Sequence, residues 1–159
     1  MDLTKFTERA RGFVQAAQTI ATRENHQRLV PEHILKALLD DDQGLASNLI
    51  TNAGGDAARV AEHNDQTLAK QPQVTGDGAQ VYLDGKTTKV LAEAESVAKK
   101  AGDSFVPVER ILMAMCLVKS GAKDALSAGN VTAQGLNSAI NDIRKGRTCL
   151  LYTSPSPRD

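Results

Sequence analysis

The sequence predicts an all-α domain built as a pseudo-two-fold repeat of two four-helix units, about eight helices in all. The first observation behind this is internal repetition. Shifted by 77 positions, residues 13–53 fall onto residues 90–130. Val14, Ala17, Ile20 and Ala21 meet Leu91, Ala94, Val97 and Ala98, and Glu32, Ile34, Leu35 and Ala37 meet Glu109, Ile111, Leu112 and Ala114. Gly44 and Leu49 meet Gly121 and Leu126, and one gap later Val60 meets Leu136. The second observation is the three-four spacing of apolar residues, which places them on one face of a helix. The third is the punctuation between these stretches by caps, Gly and Pro. A helical unit that cannot bury its own apolar face stacks on a neighbouring copy.

The elements follow in order. Residues 7–24 carry Ala10, Phe13, Val14, Ala17, Ile20 and Ala21 at helical spacing, with Thr7 as N-cap and Glu8 in the first turn. The polar run Glu24–Arg28 ends that helix, and Pro31 suits the first position of a second, about 31–40. Gly44–Asn52 reads as a short third helix closed by Gly54 and Gly55, and 56–70 as a fourth that stops before Pro72. Residues 71–83, with Pro, two Gly and little helical pattern, form the linker between repeats and have room for an extended segment. In the second unit Asp84 caps a helix to about Ala101, and the turn GDSFVP leads into a helix at about 108–118. Gly121–Ala128 is the short helix, and Thr132 caps the last one, to about Lys145.

These boundaries give one domain over 1–147: repeat one at about 7–70, the linker at 71–83, and repeat two at about 84–147. The remaining stretch, 148–159, has no helical period, two Pro and two Ser. It reads as a disordered or artefactual C-terminus, and no function is drawn from it.

Composition excludes several function classes. Lys+Arg and Asp+Glu are 19 each, so the formal net charge is +0, against the basic excess of a general nucleic-acid or membrane-surface binder. No apolar run is long enough to span a bilayer, and residues 1–20 are amphipathic and charged rather than a signal peptide. Cys116 and Cys149 lie too far apart for a disulfide framework, and Cys116 sits in an apolar run that suits a buried, inert thiol. A reducing, cytoplasmic setting fits this usage.

Catalytic and metal-binding motifs are weak. Gly85-Lys86-Thr87 ends like a phosphate-binding loop, but the Gly that loop needs five positions before Gly85 is Gln80, and no buried strand precedes it. The alternative is a helix start, with Asp84 as cap. His26, His33 and His63 have no Cys or His partners at metal-ligand spacing and read as solvated or capping. No G-x-S-x-G signature is present, and the cations lack an aromatic stacking platform for single-stranded nucleic acid.

The motifs F-T-E-R-A near the start, V-P-E-H-I-L-x-A-L-L in repeat one and G-D-S-F-V-P-V-E-R-I-L in repeat two resemble the Clp amino-terminal repeat domain of the Clp/Hsp100 unfoldases. The resemblance covers about 1–147, and the P-Q-V-x-G linker and G-D-x-F turn are most similar to its ClpB disaggregase branch. It implies a non-enzymatic substrate-recognition module, tethered to hexameric AAA+ rings, that binds unfolded or aggregated polypeptide. It also implies that ATP and Mg belong only to those rings; the balanced charge, for its part, predicts that no nucleic acid or membrane is bound. The alternative within the family is an adaptor-docking or phospho-arginine degradation-tag receptor, as in ClpA- or ClpC-type unfoldases.

The repeat locates candidate binding residues. Thr7 corresponds to Asp84 and Glu32 to Glu109, each at a helix start, where unpaired N–H groups and partial positive charge collect. A carboxylate there can accept a guanidinium while the helix N-terminus accepts an anion. The same residues could serve only as caps and dipole partners. Resemblance to ClpB implies that Thr7, Asp103 and Glu109 match positions used in substrate handling. Leu3, Phe6, Leu83 and Val106 flank the caps and are candidates for an apolar groove or for core. Arg110 stands where ClpB relatives often carry an apolar residue, which interrupts the apolar character of such a groove.

Overall fold

The computed structural model describes residues 3–41, 44–71, 73 and 81–153, with side chains described as far as residue 143. Eight helices are present among them: α1 (Glu8–Arg23), α2 (Pro31–Leu39), α3 (Leu45–Asn52), α4 (Ala57–Ala69), α5 (Gly85–Lys100), α6 (Val108–Leu117), α7 (Gly121–Ala128) and α8 (Ala133–Thr153). Much of the linker, 72 and 74–80, and the last residues, 154–159, lie outside the described residues.

The packing obeys the repeat. α2 and α6 form the centre, with Ile34, Leu35, Leu38, Ile111, Leu112 and Met115 removed from solvent. α1 covers α2 as α5 covers α6. The repeats then cross: α4 packs on α7 and, symmetrically, α8 packs on α3. Each unit thereby supplies the apolar surface the other lacks, which is why neither four-helix unit closes a core alone. The crossing is tight at Gly129. A Cβ there would lie 2.9 Å from the Asp56 carbonyl oxygen and would also strike Val60.

The sequence reading gave no β-pairing, and here the structure adds to it. β1 (Arg28–Leu29) runs parallel to β2 (Tyr82–Leu83), with Leu29 opposite Leu83, and a single parallel bridge joins Phe6 to Val106. Position 83 is the repeat equivalent of 6, and 106 of 29, so these are two copies of one clasp. In each, the residue before a unit's first helix pairs with the segment before the other unit's second helix. The bonds correspond too: Thr7 N–H donates to Val106 O at 3.0 Å and Asp84 N–H to Leu29 O at 3.1 Å. Two-residue strands carry no alternation long enough to register as a period.

α8 also departs from expectation. It continues to Thr153 rather than ending near Lys145. Between 144 and 153 only Gly146 weakens a helix, and no Pro interrupts it before Pro155.

Candidate functional site

The first helix of each unit is capped as its sequence indicates. Thr7 Oγ1 accepts from Ala10 N–H at 3.1 Å, and an Asp84 oxygen accepts from Lys86 N–H at 3.0 Å. Each cap lies one residue beyond its clasp, so the N–H groups of helix and clasp are satisfied together. Asp84 also meets Arg28 across the β1–β2 clasp at 3.4 Å. The Gly85-Lys86-Thr87 stretch is the opening turn of α5, and the Thr87 hydroxyl, fully buried, donates to Leu29 O at 2.6 Å. That bond ties the helix to the clasp and leaves the hydroxyl committed to structure rather than to a phosphate or metal.

The starts of α2 and α6 are buried, a feature their position at a helix start does not reveal. Glu32 and Glu109 are only 7% and 8% exposed. Glu32 lies against α7, where a Cβ on Gly121 would fall 2.7 Å from its carboxyl carbon. Burial raises its pKa, opposed by a backbone hydrogen bond and by Lys86. Glu109 lies at the corresponding start in repeat two.

A polar pair links the first turn of each of these helices to the turn before it. In repeat two, Arg110 Nε donates to Asp103 Oδ2 at 3.1 Å. In repeat one, the equivalent positions are His33 and His26, and their rings meet at 2.8 Å between Nε2 and Nδ1. His33 turns back to cap α2, its Nδ1 accepting from Val30 N–H at 3.0 Å. Pro107 occupies the equivalent of Val30 and has no N–H to give, and Arg110, which carries only donors, bonds to Asp103 instead. Arg110 therefore points inward and does not interrupt a groove. His26 and His33 are both buried rather than solvated, and burial lowers the His33 pKa to about 4.

Next to the Phe6–Val106 clasp, a cleft of about 440 Å³ opens between the last turns of α5 and the 103–106 turn. Phe105 stands 57% exposed at its wall, beside Lys5, Lys99 and Asp103. At the other clasp Tyr82 is equally exposed, next to Arg28. At both clasps the earlier segment, with Lys5 or Arg28, contributes a cation and the later one, with Phe105 or Tyr82, an aromatic side chain. No three His, Cys, Asp or Glu side chains come together as a metal site among the described residues, and Cys116 is buried, its thiol pushed up to about 12.

Comparison with known proteins gives this geometry a family. The profile of the Clp repeat (R) N-terminal domain matches residues 5–129. The chain belongs to the Clp repeat N-terminal domain family. The chaperone protein ClpB of Agrobacterium fabrum is 53% identical over 149 residues, which cover 93% of this chain and 17% of that protein. ClpB of Rhodopseudomonas palustris is 50% identical over the whole chain and 18% of its own length. The Clp N-domain described here thus spans about a sixth of the ClpB chaperones it is similar to. Among solved structures, the Hsp104 N-terminal domain of Candida albicans superposes with a TM-score of 0.77 at 19% identity, covering 88% of this chain and 91% of that one. A ClpV N-domain in complex with a VipB peptide gives 0.67 at 16%, covering 86% and 87%. At these identities the likeness shows the shared all-α fold.

Within this Clp N-domain the candidate residues separate. Thr7 and Asp84 are partly buried caps. Asp103 sits at the junction of the cleft and the buried pair. Glu32 and Glu109 lie under the helix starts. Phe6 and Val106, offered as groove residues, are 2% and 3% exposed: the clasp turns both side chains into the core. Leu3 is partly buried against that core, and Leu83 is exposed beside Tyr82. Phe105 and Tyr82 were missed. In extended backbone, neighbouring side chains face opposite ways, so a Val106 committed to core implies an outward Phe105. That signal needed the clasp to be known first.

Proposed function

We propose that this N-domain is the substrate-recognition module of a ClpB-type ATP-dependent disaggregase. It binds unfolded or aggregated polypeptide and passes it to AAA+ rings elsewhere in a hexameric cytoplasmic protein. The observation that carries the reading is the Phe105 cleft. An exposed aromatic wall next to a turn, ringed by Lys5, Lys99, Asp103 and Glu95, suits an apolar side chain of an extended segment whose backbone meets the polar rim. The ClpV N-domain solved with a VipB peptide supports the idea that this fold can present a peptide surface.

The adaptor-docking or phospho-arginine reading asks Glu32 and Glu109 to accept a guanidinium. Their burial works against it, because either carboxylate must leave its packed position to reach solvent. Titration by calorimetry separates the two readings. A permanently unfolded protein is expected to bind with little salt dependence, since apolar burial is not screened. Free phospho-arginine is expected to give no heat. Saturable phospho-arginine binding at two sites per chain, weakened by salt and lost in Glu32→Gln or Glu109→Gln, would establish the receptor reading instead.

A further inference from the structure

We infer that the His26–His33 pair is a proton-sensitive latch on one of the two clasps, holding the start of α2 and the β1–β2 pairing at neutral pH and releasing them on acidification. The argument starts from the chain of hydrogen bonds. Val30 N–H donates to His33 Nδ1, so His33 Nδ1 carries no proton and its neutral ring is protonated at Nε2. That Nε2–H then donates to His26 Nδ1 at 2.8 Å. Every ring nitrogen between Val30 and His26 is thereby used, and in one direction only. A proton added at His26 Nδ1 or at His33 Nδ1 sets one N–H against another, and a link must break.

The link is placed where it matters. Val30 follows β1 directly, and β1 is the half of the clasp contributed by repeat one. His26 is also bridged on its backbone to Gln73, whose side chain donates to Glu24 O at 3.2 Å. The charged groups around the pair do not cancel the effect. Glu24 at the end of α1, Lys36 on α2 and Asp65 on α4 line the cavity beside His26, but Lys36 is already bonded to Asp65 at 3.1 Å. Glu24 favours a proton on His26, less strongly than burial opposes it. Glu32, one residue from His33, is itself pushed toward its neutral form, with Asp84 and Lys86 of the α5 start and Asp124 of α7 acting on it in opposite senses.

The other clasp is the built-in control. There Asp103 and Arg110 fill the same two positions with a carboxylate–guanidinium pair in place of two imidazoles. Acid is therefore expected to loosen one clasp and spare the other. The folded pKa of His33 lies near 4 and the unfolded value near 6.5, so the opened state binds more protons than the closed one as pH falls between them.

Amide hydrogen exchange on the full 159-residue chain tests this. The matched reporters are the His33 and Arg110 amides, which bond to the Val30 and Pro107 carbonyls at 3.0 and 3.1 Å. Corrected for intrinsic rate, His33 protection is expected to fall about tenfold per pH unit for each proton taken up, while Arg110 holds. The double variant His26→Asp/His33→Arg, which places the repeat-two pair in repeat one, is expected to remove the difference. Equal behaviour of the His33 and Arg110 amides through this range would overturn the latch, whether or not the double variant folds. So would a ring ¹⁵N spectrum at neutral pH showing His33 protonated at Nδ1.

Discussion

Arg110 reaches Asp103 from inside the domain: the residue is 3% exposed and its Nε donates to the carboxylate at 3.1 Å. The pair fixes the turn that carries Phe105. Asp103→Ala leaves that buried guanidinium without its carboxylate, a change that typically costs about 3–5 kcal/mol. Arg110→Met leaves a carboxylate nearer to water and is expected to cost less. Urea denaturation of the two variants checks the order. Any loss of binding in Asp103→Ala has to be read per folded molecule, or a structural effect will pass for a contact with substrate.

The two first-helix caps are expected to be worth similar amounts. Thr7→Ala removes the acceptor for Ala10 N–H, and Asp84→Ala the acceptor for Lys86 N–H. Each is expected to cost about 0.5–2 kcal/mol, measurable by chemical denaturation. The Arg28–Asp84 contact adds little, because Arg28 is largely solvated.

Gly121 and Glu32 are expected to be coupled. Gly121→Ala forces the Glu32 carboxyl to move, and because that carboxyl is the far end of a flexible side chain the cost is smaller than for a clash with backbone. With Glu32→Ala already in place the same change is expected to cost much less. A double-mutant cycle reads the difference directly. Additive effects would show that the helix starts are looser than their burial suggests.

Glu32 also carries a pH dependence of known sign. Its folded pKa is raised, first by burial, so the folded state prefers the neutral carboxyl. Stability from this group is present below the ordinary carboxylate range and is lost as pH rises through the raised value. Glu32→Gln is therefore expected to raise Tm at neutral pH, with the gain vanishing in acid. A Tm difference that does not change with pH would show that Glu32 ionises freely in the fold.

The helical architecture was legible because it rests on long patterns. Ala10, Val14, Ala17 and Ala21 mark one buried face over about three turns, and the 77-residue repeat doubles each such signal. Caps at Thr7 and Asp84 were legible for the same local reason. What stayed hidden depends on contacts between the repeats. Leu29 and Val106 look like ordinary apolar residues in turns until Leu83 and Phe6 are seen opposite them. His26 and His33 read as solvated or capping; His33 does cap α2, but its pairing with His26 exists only once α2 is built over the preceding turn. Glu32 and Glu109 showed their place at a helix start, but not the neighbouring helices that bury them.

The most direct test of the recognition reading is an NMR titration of the chain with a permanently unfolded protein, without nucleotide. The cleft predicts shifts at Lys99, Ser104 and Phe105, and Phe105→Ser is expected to weaken binding at least about fivefold while keeping the fold, since Phe105 is a surface side chain. Shifts confined to the 71–83 linker or to the Glu32 and Glu109 helix starts, with affinity unchanged in Phe105→Ser, would contradict the account.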